Sequence, residues 1–170
     1  MAIAEATIED NLNQEKYQHY MEVLSTWGIK NETAAAFISH AYPIERFLDP
    51  HGKPIIERID GSKRYRSLAA YKLSMGIGRV QYQSGGELKW KAGGSSTSRK
   101  ALYLWVKFQV IMKPNLDNPK IAKLHDYYKN GSSQIVEGQT KVFHPGKGDQ
   151  RVMRVVRRLV EALFYELIED

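Results

Sequence analysis

The sequence predicts an α+β fold: an antiparallel three- to five-stranded sheet, covered on its apolar face by N-terminal and C-terminal helices. Three stretches indicate it. Residues 101–112 place apolar side chains at every second position, the pattern of a long strand. Residues 84–86 form a turn between two shorter alternating runs, as in a β-hairpin. Residues 150–168 repeat apolar side chains at helical spacing, which predicts a long amphipathic helix.

The composition is typical of one globular domain, expected to span residues 1–170. No run approaches the roughly 20 apolar residues of a membrane helix, and the acidic start is unlike a signal peptide. We therefore expect a cytoplasmic protein with no membrane segment. The absence of Cys excludes disulfides, thiolate nucleophiles and cysteine-bound metals. The five His lack ligand spacing and no nucleotide-binding or serine-hydrolase motif is present, so neither a metal nor another cofactor is expected.

The N-terminal quarter of the chain predicts two helices. Apolar residues recur at helical spacing over 7–27, and Gly28 follows as a C-terminal stop. Asn31 is placed to cap a second, short helix over 34–38. Pro43 ends or restarts that helix, because proline lacks the backbone N–H that a helix interior needs.

A turn and a basic helix come next. The sequence Asp-Pro-His-Gly at 49–52 has turn chemistry, so its flanks are expected to pair as a hairpin, with a helix over 43–48 as the alternative. Ser62 is placed to cap a helix over 63–75, and Gly76 to end it. Both helix ends would then carry ordinary capping residues.

The middle of the chain predicts a three-stranded meander. Residues 78–83 and 87–92 form a hairpin, with Val80, Tyr82, Leu88 and Trp90 on one face and the charged and amide residues on the other. Residues 93–100 are small and polar, which indicates a flexible loop leading into the strand 101–112.

The C-terminal third adds helices and short strands. A short helix is expected over 120–128, and one or two strands over 134–143 around Gly138. Asp149 is placed to cap the last helix, 150–168, which must pack on the sheet. Its apolar stripe consists of Val152, Val155, Val156, Leu159, Val160, Leu163, Phe164 and Leu167.

Charge is the strongest functional signal in the sequence. The formal net charge is +6, yet segment 63–113 carries eleven Lys and Arg residues against a single acid, Glu87. This segment is therefore about +10 and the remainder slightly acidic. A positive face of this kind is typical of proteins that bind a polyanion, most often nucleic acid, although a solvated basic surface balanced by an acidic helix would have the same composition.

The leading interpretation is a non-catalytic nucleic-acid-binding or accessory protein that contacts the phosphate backbone, including single strands. Backbone N–H groups of the 93–100 loop would cradle a phosphate, while Tyr103 and Trp105 would stack on bases at roughly 1–3 kcal/mol each. In the predicted helix 63–75, Lys63, Arg64 and Arg66 crowd the first turn, where the helix dipole disfavours cations. A bound anion would offset this, and pairing with Asp60 or Glu57 would do so just as well. The predicted nucleic-acid-binding residues are Lys63, Arg64, Arg79, Lys89, Lys91, Arg99, Lys100, Tyr103, Trp105, Lys107, Arg151, Arg154 and Arg158.

The last helix carries a second basic patch. Arg151, Arg154 and Arg158 share a stripe at the N-terminal end of this helix, the reverse of the order that its dipole favours. An anion on the stripe would justify that arrangement. The alternative is that Arg157 and Arg158 pair with Glu161 while the other arginines meet acids of the first helix.

Two other functions fit the sequence. A structural or adaptor protein would dock another protein, or a second copy of itself, through the aromatic face of the sheet and acidic helix ends. A metal-dependent nuclease is the lesser alternative, because Glu87-Leu88-Lys89 matches the Glu-x-Lys half of a nuclease pattern. The required Asp on the preceding strand is missing, and Asp60 is the nearest acid upstream.

Overall fold

The computed structural model describes residues 2–84, 87–136, 139–143 and 146–169. The α-helices are α1 (Ala2–Leu12), α2 (Gln18–Thr26), α3 (Asn31–Ala41), α4 (Arg66–Ser74), α5 (Ser96–Trp105), α6 (Pro119–Asn130) and α7 (Gly148–Ile168). Shorter 3-10 turns are Glu15–Tyr17 and Ile44–Phe47, and a π-helical segment, Val106–Met112, continues α5. The strands are β1 (Ile56–Ile59), β2 (Ser62–Tyr65), β3 (Arg79–Ser84), β4 (Glu87–Ala92), β5 (Ser132–Val136) and β6 (Gln139–Phe143).

The fold is α+β, as predicted, but its strands form three separate antiparallel hairpins, β1–β2, β3–β4 and β5–β6. The predicted sheet of three to five strands is therefore wrong. So is its cover of terminal helices, because the helices pack on one another. Buried residues from Leu12 to Leu167 make one hydrophobic cluster.

Helix α7 lies at the centre of that cluster. All eight apolar residues of its predicted stripe are buried. The helix contacts α2, α4, α5, α6 and the π segment, instead of the sheet that was expected. Its apolar stripe identified a buried helix correctly, but the stripe contains no information on whether helices or strands cover it.

The stretch 101–112 is helical, which overturns the predicted central strand. Leu102, Val106 and Val110 are fully buried, whereas Leu104, Phe108 and Met112 are 40%, 48% and 59% exposed. A period-two pattern also places apolar residues four apart, so it satisfies a helical stripe as well as a strand face. Within the π segment the Lys113 N–H donates to the Phe108 carbonyl, five residues back, at 3.0 Å. The His125 Nδ1–H donates to the Val110 carbonyl at 2.7 Å, which satisfies a carbonyl of the π turn.

The N-terminal helix prediction is correct in type but not in extent. The region expected to be one helix over 7–27 is divided into α1, a 3-10 turn and α2. Gly28 ends α2 as predicted, with φ +73°, and the next N–H, from Ile29, donates to the Leu24 carbonyl at 3.0 Å. Asn31 begins α3 with φ +49° but makes no side-chain cap.

The turn at 49–52 is present, since the Asp49 Oδ1 accepts the N–H groups of His51 and Lys53 at 2.9 and 2.8 Å. Its flanks meet only in a single bridge, Leu48 to Pro54, and the segment before it takes the helical alternative as a 3-10 turn.

The helix predicted over 63–75 begins only at Arg66 and ends, as expected, at Gly76. Ser62 lies in β2 instead of capping a helix. The chain turns tightly at Asp60-Gly61, with φ +50° and +76°, so the residues on the two sides of this turn pair as the β1–β2 hairpin. An Asp-Gly pair is a strong hairpin signal that outweighs the helical pattern after it.

The β3–β4 hairpin is confirmed, but its register is one residue from the expected one. Ser84 pairs with Glu87, which leaves a two-residue loop outside the described residues. Val80 therefore lies opposite Lys91, and Gln81 opposite Trp90. Opposed residues share a face of an antiparallel pair, so Val80 and Trp90 are on opposite faces and the predicted apolar face does not exist.

The last elements agree more closely with expectation. α6 and the β5–β6 hairpin are where they were predicted, although Gly138 lies outside the described residues. Asp149 falls inside the first turn of α7 and not at its cap, which is Lys147. None of the helices that the structure describes is long and apolar enough to cross a membrane.

Candidate nucleic-acid interface

A glycine-rich junction fixes the base of the β3–β4 hairpin against α4 and α5. A Cβ at Gly94 would lie 1.6 Å from the Leu73 carbonyl oxygen, and one at Gly76 would lie 1.9 Å from the Ser95 carbonyl oxygen. Only glycine permits so close a backbone approach, and both residues also have positive φ. The Gly93 N–H donates to the Gly78 carbonyl at 3.1 Å. These contacts fix the base of the hairpin against α4 and the start of α5.

The segment predicted to be a flexible phosphate-binding loop is ordered and largely helical. Helix α5 begins at Ser96, and the Ser95 hydroxyl caps it by accepting the Ser98 N–H at 3.1 Å. The Ser98 side chain is fully buried and donates to the Ala36 carbonyl at 2.6 Å. These contacts hold α5 against α3 and contradict the expected flexible loop over 93–100.

A cleft of about 830 Å³ lies between the hairpin, α5 and the first half of α7. Its charged lining consists of Arg79, Lys91, Arg99, Lys100, Arg157 and Asp149. Its aromatic lining consists of Trp90 and Tyr103. Five cations therefore face one carboxylate, beside two aromatic rings. We call this the basic cleft.

The single carboxylate of the basic cleft is already engaged. The Tyr103 hydroxyl donates to the Asp149 Oδ1 at 2.5 Å, and this hydrogen bond is the largest cause of a raised pKa at Tyr103. Arg99 is also committed, since its Nη1 donates to the Gly76 carbonyl at 2.9 Å. Asp149 keeps its negative charge in this hydrogen bond, so it offsets one of the five positive charges that line the cleft.

The cationic surface continues along α7. Arg79, Arg154 and Arg157 line a smaller adjoining cavity of about 330 Å³. Burial lowers the pKa of Arg157, and the positive charges of Arg79 and Arg154 lower it further. In the described part of the chain, neither Arg79 nor Arg157 forms an ion pair with a carboxylate. The like charges are therefore held together by the fold.

The structure brings together five of the predicted binding residues in the basic cleft: Arg79, Lys91, Arg99, Lys100 and Tyr103. Lys89 is on the same hairpin, and Lys107 lies with its Nζ 5.8 Å from the centre of the Tyr103 ring. Lys107 is on the π segment and not on the strand that was predicted over 101–112. Arg154 lines the adjoining cavity.

Other predicted residues lie elsewhere. Trp105 is 7% exposed within the core, so it offers no stacking surface. Lys63 and Arg64 are exposed on β2, before α4 begins. The prediction that they crowd the first turn of a helix is therefore wrong. Arg151 and Arg158 pack on α6, with their guanidinium carbons 4.5 and 3.7 Å from the Tyr128 and Tyr127 ring centres.

The predicted arginine stripe of α7 is thus divided between two surroundings. Glu161, the expected partner of Arg157 and Arg158, instead pairs with Lys72 at 2.8 Å.

Sequence reasoning missed Trp90 and Arg157. Trp90 was assigned to an apolar hairpin face, yet it is 61% exposed. Reading Gly85-Gly86 as a two-residue loop would have shifted the register and placed it correctly. Arg157 was treated only as a partner of Glu161, and no local pattern connects it with Arg79.

A second surface is apolar. Leu104, Phe108 and Met112 are exposed in one row along α5 and the π segment. The row borders a groove of about 710 Å³ between α3 and α5. Ser96 and Lys100 line both this groove and the basic cleft.

The described residues contain no group of three or more His, Asp or Glu placed to hold a metal ion. Comparison with models of known families, with curated proteins and with solved structures finds no match for the chain. The geometry of the basic cleft is therefore the feature that points to a function.

Proposed function

We propose that this chain is a non-catalytic nucleic-acid-binding or accessory protein that contacts phosphate backbone through the basic cleft. The observation that carries the proposal is the surplus of cations: among the described residues, five Lys and Arg residues and one carboxylate, Asp149, line the cleft. Arg154 adds one cation in the adjoining cavity, which Arg79, Arg157 and Asp149 also line.

Binding of a polyanion would reduce the electrostatic repulsion between the cations of the basic cleft. Burial is the larger cause of the lowered pKa of Arg157, and the positive charges of Arg79 and Arg154 lower it further because like charges repel. Phosphate oxygens accept two parallel hydrogen bonds from a guanidinium, and each neutralised phosphate releases counterions. Binding is therefore expected to be favoured at low salt and to weaken steeply as salt is added.

The test uses fluorescently labelled single-stranded and duplex DNA and RNA, titrated at about 50 and 200 mM salt. Arg79 and Lys100 are exposed, so Arg79→Gln with Lys100→Gln removes two charges without disturbing the core. The matched control is Lys30→Gln with Lys123→Gln, which removes two exposed charges that do not line the cleft.

If each removed charge contacts a phosphate, the slope of log affinity against log salt falls by about 1.4 on single strands and about 1.8 on duplex. The control should keep the wild-type slope. No binding at the lower salt, or equal losses in the two variants, would overturn the proposal.

The second candidate is an adaptor or self-assembling protein, and the exposed row Leu104, Phe108 and Met112 favours it. The aromatic sheet face first expected to dock a partner is not formed, so this row replaces it. If copies of the chain associate through this apolar row, the average molecular mass should rise with protein concentration, and the assembly should remain at high salt. Sedimentation equilibrium of the wild type and of Phe108→Ser distinguishes it from salt-sensitive nucleic-acid binding.

The nuclease alternative gains no support from the geometry. Asp60, the nearest upstream acid, lies in the β1–β2 turn and not on a strand beside β4. The side chain of Glu87 is outside the part of the chain that the structure describes. Magnesium-dependent cleavage in the binding assay would revive this alternative.

A further inference from the structure

We infer that the basic cleft takes single-stranded nucleic acid, with an unpaired base stacked on Trp90. The inference rests on the proposed backbone binding and names the ligand class within it. Trp90 lines the cleft together with Arg79 and Lys100, so a ring face and phosphate-binding cations border the same space.

Trp90 differs from the other two tryptophans of the chain. Trp27 and Trp105 are 4% and 7% exposed, whereas Trp90 is 61% exposed. Tryptophan is large and apolar, so leaving most of its surface in water forgoes the burial that stabilises the other two. Its exposure on a surface that also carries five cations indicates a ligand that combines flat apolar faces with negative charge.

The hairpin presents this ring from a firm support. Trp90 is on β4, opposite Gln81 on β3. Three residues further on, Gly93 is packed so tightly that a Cβ there would lie 2.7 Å from Leu73 and from Val80. The base of the hairpin is therefore held in position against α4, and little ordering is needed when a base binds.

The same geometry favours single strands over duplex. In a duplex the bases are stacked on one another and offer only their edges in the grooves. An unpaired base has two free faces, and every base has a π-face, so stacking on Trp90 requires no particular sequence. Tyr103 is less suitable, because it is only partly exposed and its hydroxyl is held by Asp149.

The experiment compares ligands that differ only in their bases. An oligothymidylate of about 16 nucleotides, an abasic deoxyribose-phosphate oligomer of equal length and a matched duplex are titrated into the wild type, Trp90→Ala and Trp90→Phe. End-labelled ligand reports affinity by anisotropy. Tryptophan emission reports stacking, because Trp90 is the exposed tryptophan, so quenching should be absent from Trp90→Phe.

We expect wild type to bind oligothymidylate about 5- to 150-fold more tightly than the abasic oligomer, the range that stacking of one base supplies. Trp90→Ala should lose that preference while keeping its affinity for the abasic oligomer, and Trp90→Phe should keep part of it. Parallel titrations with oligouridylate show which sugar is preferred, and dependence on the base with either sugar supports the inference.

The failures are distinguishable. Equal affinity for oligothymidylate, abasic oligomer and duplex, unchanged in Trp90→Ala, would overturn the inference and leave backbone binding in place. An equal loss on every ligand in Trp90→Ala would also overturn it, because Trp90 would then only support the hairpin. Binding of none of the ligands at about 50 mM salt would overturn the proposed function and this inference together.

Discussion

Tyr71→Phe is expected to stabilise the protein, because it removes a hydroxyl that the core does not satisfy. The Tyr71 side chain is fully buried among Phe37, Phe47 and Phe164, with ring centres 6.3, 5.4 and 5.0 Å away. Its hydroxyl has no hydrogen-bond partner among the described residues. Burial raises the pKa of Tyr71 well above its usual value, so the group is neutral in the folded state.

The size of the effect follows from two opposed terms. A buried hydroxyl without a partner costs about 1–3 kcal/mol of desolvation. Its removal leaves a space of roughly one oxygen atom, which at about 24 cal/mol per Å³ costs about 0.5 kcal/mol. The net gain is about 0.5–2.5 kcal/mol in the free energy of unfolding, or a rise of about 1–10 °C in Tm for a domain of this length.

Tyr20→Phe is the matched control, since it deletes the same atom from a tyrosine whose hydroxyl is used. The Tyr20 hydroxyl accepts the Ile44 N–H at 2.6 Å in the core. Its loss leaves a buried backbone donor unpaired, so the control should lose about 1–3 kcal/mol. Urea unfolding at pH 7 and differential scanning calorimetry measure both variants. A Tyr71→Phe protein that is destabilised as much as Tyr20→Phe would refute the reasoning.

Two further predictions concern pH and the glycine junction. Burial raises the pKa of Tyr20 to about 12, so the Tyr20 hydroxyl loses its proton at lower pH in the unfolded state than in the folded state. The contribution of this group to the free energy of unfolding is therefore complete below about pH 10 and is lost as the pH rises towards 12. Urea unfolding at rising pH should show a smaller loss of stability in Tyr20→Phe than in the wild type. Gly94→Ala should cost more than about 3 kcal/mol, whereas Gly28→Ala, with positive φ but open space, should cost about 1–2 kcal/mol; similar losses in denaturant unfolding would contradict the steric argument.

The elements that could be predicted from the sequence are those with strong local signals. The eight-residue stripe of α7, the β3–β4 hairpin and the glycine stops at Gly28 and Gly76 depend on neighbours in the chain. The secondary structure of residues 101–112 could not be assigned, because apolar residues at every second position, as in a strand, also recur at every fourth position, as in a helix. Burial of Leu102 with exposure of Leu104 is decided by the packing of α5 on α3 and α7, which no local pattern contains.

Only part of the basic cleft could be predicted, because some of its residues are close in the sequence and others are brought in by the fold. Arg79, Lys91 and Lys100 are close in sequence, and a hairpin followed by a helix returns them to one surface, so a count of local charge was enough to find them. Trp90 depended on a register difference of one residue. Arg157 comes from the last helix and meets Arg79 only because α7 passes beside the hairpin. A local turn signal would therefore have placed Trp90, to which we assign base stacking, whereas Arg157 required the tertiary structure because its neighbour Arg79 is far away in the sequence.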